Sequence, residues 1–87
     1  MMATIFFENG KTYEALSAGL SIFTGEFVTA VKTDNIVELL SNFQSAEVFY
    51  AETIPEGRQE YSGYKKLIRL TFVDEYYYIV LAKEGDS

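Results

Sequence analysis

Along this chain, apolar and polar positions fall mostly into strand-length runs separated by turn residues. Ala3 to Phe7 reads as a strand, and Glu8-Asn9-Gly10-Lys11 follows it. Asn-Gly accepts positive φ at both central positions of a two-residue type I′ hairpin turn. Thr12 to Ala18 is therefore expected to return as a second strand, with Phe6 facing Tyr13 across the pair. Gly19 punctuates the chain and Thr24-Gly25 breaks it again, leaving Leu20 to Phe23 as a short strand or connector. Glu26 to Lys32 sets Phe27, Thr29 and Val31 against Val28, Ala30 and Lys32. Its β-branched content makes it a third strand.

The period then changes. Thr33-Asp34-Asn35 offers N-cap side chains, and Glu38 lies three residues after Asn35, as in a capping box. Ile36, Leu39, Leu40 and Phe43 fall at i, i+3, i+4 and i+7, while Glu38, Ser41, Asn42 and Gln44 face away. The spacing predicts an amphipathic helix over about 34–44, a short element that draws its stability from packing its stripe on a sheet.

Ala46 to Thr53 alternates again as a strand, and Ile54-Pro55-Glu56-Gly57-Arg58-Gln59-Glu60 reads as a loop that Gly63 extends. Tyr64 to Val73 and Tyr76 to Lys83 form a strand pair joined at Asp74-Glu75. A tight connection sets Phe72 opposite Tyr77, Leu70 opposite Ile79 and Ile68 opposite Leu81, an apolar face expected in the core. Val73 with Tyr76, Thr71 with Tyr78 and Arg69 with Val80 make the other, mixed face. Glu84-Gly85-Asp86-Ser87 is a polar tail. The expected fold class is α+β: an antiparallel or mixed sheet of about five to six strands with one helix packed on it. The element order is β-β-β-α-β-β-β, and 1–87 forms one domain.

Composition narrows the function more than the fold. With 48% hydrophobic and 16% aromatic residues the chain has material for a core without staples. It holds no Cys and no His, which removes disulfides, thiolate metal sites, cysteine nucleophiles and the usual near-neutral proton shuttle. Its serines lack a His partner, and Gly57 and Gly63 sit in no phosphate-loop pattern. No catalytic, cofactor-binding or metal-binding residue is assigned, so a non-enzymatic role is expected. The net charge of −6 disfavours direct binding to nucleic acid or anionic membranes. The N-terminus lacks a signal-peptide pattern, and the apolar run Tyr76 to Ala82 is far short of the ~20 residues that span a bilayer. These features favour a cytoplasmic protein.

Two surfaces stand out as partner-binding candidates. Tyr76 and Tyr78 should share the mixed hairpin face with Arg69, and tyrosine and arginine concentrate in protein-binding hot spots. A second core face would account for the same pattern. Glu47, Glu52, Glu56 and Glu60 belong to a stretch in which six carboxylates from Asp34 to Glu60 face only Arg58. They read as solvated surface, or as a charged face for a basic partner. Lys65, Lys66 and Arg69, beside Tyr61 and Tyr64, read as a basic and aromatic patch that could stack on bases or, in preference, as an edge strand whose charges discourage sheet-to-sheet pairing.

Thr4-Ile5-Phe6-Phe7-Glu8-Asn9-Gly10-Lys11-Thr12-Tyr13-Glu14-Ala15 resembles the opening of many short proteins encoded by bacteriophages and prophages of Gram-positive hosts. Gly63-Tyr64-Lys65-Lys66-Leu67, followed by Tyr76 to Lys83, resembles their final hairpin. The resemblance implies an accessory or structural, tail-module protein that docks a protein partner and can form a homo-oligomer, in the host cell or on the virion. It equally covers acidic inhibitors of host defence nucleases of the anti-CRISPR kind, the alternative expectation. It brings no catalytic residues and no cofactor.

Overall fold

The computed structural model describes residues 2–85, so Asp86 and Ser87 of the polar tail lie outside the described residues. Its elements are β1 (Ala3–Phe7), β2 (Thr12–Leu20), β3 (Phe27–Val31), α1 (Ile36–Ser45), β4 (Val48–Thr53), β5 (Gly57–Ser62), β6 (Tyr64–Val73) and β7 (Tyr76–Lys83). The seven strands form one antiparallel sheet in the order β5-β4-β1-β2-β3-β7-β6.

The two hairpin turns behave differently. At β6–β7, Asp74 (φ 51°) and Glu75 (φ 74°) both take left-handed conformations, which makes this the type I′ turn of the chain. It delivers the expected pairs Phe72 with Tyr77, Leu70 with Ile79, Val73 with Tyr76, Thr71 with Tyr78 and Arg69 with Val80. A bulge between Leu67 and Arg69 displaces Ile68, so Leu67 rather than Ile68 faces Leu81. At β1–β2 only Gly10 has positive φ, and the Phe7 N–H donates to the Lys11 carbonyl at 2.9 Å. The loop is therefore Glu8-Asn9-Gly10, one residue longer than Asn-Gly alone implied. Tyr13 consequently faces Ile5, not Phe6. Asn9 accounts for the difference: its Oδ1 accepts the Lys11 N–H at 3.0 Å and its Nδ2 donates to Asn42 of α1 at 2.7 Å.

The supposed loop after β4 is mostly a strand. Gly57–Ser62 pairs along β4 from Thr53 to Val48, and only Tyr61 of its side chains is buried. An edge strand needs just one inward apolar residue here, which disguised it as polar loop.

Chain connectivity then bends the whole sheet. Laid flat, the outer strands of such a sheet would stand roughly 29 Å apart at the usual interstrand spacing. Yet the outer strands are β5 and β6, joined by Gly63 alone. The sheet must curl, and it forms a half-barrel with nearly equal extents of 33 × 29 × 28 Å. Gly63 (φ 78°) makes the corner. Its N–H donates to the Glu47 carbonyl (3.0 Å), and its own carbonyl accepts from the Glu84 N–H (2.8 Å), tying together both margins of the sheet.

Curling also supplies the core. Ile5, Phe7, Tyr13, Phe27, Val31, Phe49, Ile79 and Leu81 point inward and are buried. Helix α1 is capped as expected, with Asn35 Oδ1 accepting the Glu38 N–H at 3.1 Å. It adds Leu39 and Phe43, whose ring meets Phe49 at 5.0 Å and Phe7 at 5.2 Å, while Ile36 and Leu40 stay half-buried.

The α+β class with about five to six strands and a helix laid on them is thus overturned. The chain is mostly β, and its one short helix, α1 of ten residues, packs its Leu39 and Phe43 into the core of a half-barrel sheet. The expectation that Ile68, Leu70 and Phe72 are core also fails, because β6 is the outermost strand and nothing covers it past Lys65. Only their partners on β7 are inside, with Ile79 and Leu81 buried and Tyr77 packed against the core.

Left-handed Glu75 generates a prediction. A non-glycine residue there costs about 1 kcal/mol, and its ion pair with Lys32 (3.1 Å) is exposed at both ends and returns little. Glu75→Gly should therefore raise stability by about 1 kcal/mol in a denaturant titration. An unchanged or lower midpoint would contradict the turn geometry.

Candidate functional site

No group of three or more carboxylates converges to hold a metal ion among the described residues. The tightest polar constellation joins the β1–β2 hairpin to α1. Tyr13 Oη donates to Glu38 Oε1 at 2.7 Å and accepts from Asn42 Nδ2 at 3.0 Å, and Lys11 Nζ lies 3.3 Å from Glu38 Oε2. Burial, followed by the hydrogen bond to Glu38, pushes the Tyr13 phenol up from 10.0 to about 12. The same bond, helped by Lys11, holds the Glu38 carboxyl below its ordinary value. A neutral phenol thus donates to an ionised carboxylate, and neither changes charge near pH 7. Asn42, expected on the outer side of the helix, is buried at this joint. The pair works as a structural clamp.

The acidic residues do not gather into one surface. Glu47, just before β4, pairs with Lys65 Nζ at 2.7 Å. Glu52, toward the other end of β4, lies 3.7 Å from Arg58, whose guanidinium sits 4.4 Å over the Phe6 ring. Glu56 is in the β4–β5 turn and accepts the Thr53 hydroxyl at 2.9 Å, while Glu60 faces Tyr50 across β5 and β4. Two of the four are thus ion-paired, and Glu47 lies at the opposite end of β4 from Glu52 and Glu56, with Glu60 between them opposite Tyr50.

The β6–β7 hairpin does bring its candidates together. Strand register places Arg69, Thr71 and Val73 on the outer face beside Val80, Tyr78 and Tyr76. Tyr78 is 40% exposed, and Ala30, its neighbour on β3, is buried. Tyr76 is half-buried, and Tyr77 turns to the other face, its ring 4.5 Å from Phe72. Val73 on that outer face is exposed, and so are Leu67, Ile68, Leu70 and Phe72 (60%) along the same strand, although sequence reasoning turned Ile68, Leu70 and Phe72 toward the core.

A second apolar projection was also missed. Ile22 and Phe23 are 91% and 90% exposed at the tip of the β2–β3 loop. Ser21 stiffens that tip, because its Oγ accepts the Phe23 N–H (3.2 Å) and its carbonyl accepts the Gly25 N–H (2.8 Å). Two large apolar residues flanked by Ser21 and Thr24-Gly25 were the available signal, since a turn cannot bury them.

The clamp carries a pH prediction. A phenol whose folded pKa lies above its unfolded value stabilises the fold fully below pH 10, and that contribution is lost as pH rises toward about 12. Tyr13→Phe should cost about 1 kcal/mol at pH 7 and should make the fall in melting temperature across that alkaline window shallower. An alkaline profile unchanged by the substitution would show that Tyr13 is not held as described.

No protein family, curated protein or solved structure matches the chain.

Proposed function

We propose that the chain is a non-enzymatic docking protein of the bacteriophage accessory or structural, tail-module type, which binds a protein partner through the β6–β7 hairpin. One observation carries the reading: Leu67, Ile68, Leu70, Phe72, Val73 and Tyr78, all exposed, concentrate on a single hairpin. Scattered apolar residues are ordinary on a surface, but a contiguous set marks a place where another molecule sits. Arg69 beside Tyr78 adds the residue types that anchor protein interfaces. The net charge of −6 favours a protein over a nucleic acid. The resemblance of both chain ends to short phage proteins supplies the biological setting, in the virion or the host cytoplasm.

Binding of the chain to purified tail-module proteins tests this directly. Tyr78→Ser should weaken the complex by about 2 kcal/mol, roughly 30-fold in affinity, while Ile22→Ser leaves it unchanged. Because Tyr78 is partly exposed, the melting transition should remain cooperative. Full-strength binding by Tyr78→Ser, or no association of the parent chain with any tail component, would overturn the proposal.

A further inference from the structure

Edge strand β6 is guarded along its first half and bare along its second. Register shifts between Tyr64 and Lys66 and between Leu67 and Arg69 distort the first half. There the Lys65 ammonium is held by Glu47, and Gln44 of α1 donates to the Lys65 carbonyl. Lys66 adds an exposed charge. These are the devices by which sheets avoid adding a stray strand. From Arg69 to Val73 none of them applies except Arg69 itself. This segment pairs without a bulge to β7, every residue in it is exposed, and no other hydrogen bond reaches it among the described residues. A straight edge carrying Leu70, Phe72 and Val73 is a template for another strand.

We propose that the occupant is a second copy of this chain, paired antiparallel through Arg69–Val73 about a twofold axis at Thr71; this rests on the docking role assigned to the hairpin. Thr71 is the midpoint of the unbulged segment, so an axis there uses all of it. Leu70 of each copy then meets Phe72 of the other on the inner face. On the outer face Thr71 meets its own counterpart, and Arg69 meets Val73, one residue from the second copy's Asp74. Apolar residues thus oppose apolar ones, and the only cation of the segment lies beside an acidic turn. Slipping by one residue would set Leu70 against Thr71 and turn one sheet over. Slipping by two would bring the bulge at Ile68 or the turn at Asp74 into the ladder. The axis at Thr71 is the register free of both faults. So short a contact falls at the small end of protein interfaces, among the weak and transient ones.

The absence of cysteine from the chain makes the register directly testable. Under mild oxidation Thr71→Cys should form a covalent dimer, because each introduced thiol faces its own counterpart. Arg69→Cys and Val73→Cys should each stay uncrosslinked alone yet crosslink when mixed. Sedimentation of the unmodified chain at about 100 μM should show dimer, and Leu70→Lys with Phe72→Lys should give a folded monomer. Equal crosslinking at all three positions, or a parent chain that stays monomeric, would overturn the pairing. A monomer whose tail-protein binding still depends on Tyr78 would overturn the pairing alone. A dimer whose tail-protein binding ignores Tyr78 would overturn the docking role instead.

Discussion

The fold depends on one covalent constraint: the two outermost strands of the sheet, β5 and β6, are consecutive in the chain and share a single linking residue, Gly63. A flat sheet cannot satisfy that connection. Curling satisfies it, and the curl creates the enclosed space that Phe27, Phe43 and Phe49 fill. The Gly63 N–H donates to the Glu47 carbonyl and the Glu84 N–H donates to the Gly63 carbonyl, which holds the corner from both margins. For a chain of 87 residues this is an economical route to a core, since one sheet supplies most of its own cover.

Closure at one corner leaves the margins free to diverge elsewhere. Helix α1 fills part of the opening, anchored by Leu39 and Phe43 inside and by Tyr13, Glu38, Asn42 and Asn9 at its polar joint. Beyond Lys65, β6 runs on along β7 as an edge strand with a neighbour on only one side. Its exposed apolar side chains are therefore a consequence of the same geometry that buries the rest. Fold and proposed docking surface share one cause.

Much of this was legible in residues and some of it could not be. The β6–β7 pairing could be read almost residue by residue, because alternation was strong and Asp74-Glu75 left room only for a tight turn. Strand β5 was hidden, since Arg58-Gln59-Glu60 looks like loop until Tyr61 is known to be its one inward anchor. The β1–β2 register was misread by one position because the Asn9 side chain binds Asn42, far along the sequence. Alternation put Leu70 and Phe72 on the same face as buried Ile79, but whether a face is covered depends on strand order, which local pattern does not encode. The same limit applies to the acidic residues: their spacing was visible, whereas the pairing of Glu47 with Lys65 and of Glu52 with Arg58 required the sheet.

The corner itself is the point to measure. Gly63 has positive φ, and a Cβ there would meet only Lys83 side-chain atoms at 3.7 and 3.8 Å, ordinary contact distances. Gly19 has no positive φ, and a Cβ there would meet nothing within 4 Å, so it isolates the backbone effect. Denaturant unfolding should therefore show Gly63→Ala less stable than the parent by about 1–2 kcal/mol, with Gly19→Ala at or above the parent. Equal stability of Gly63→Ala and the parent would contradict the claim that a left-handed corner at this residue closes the sheet.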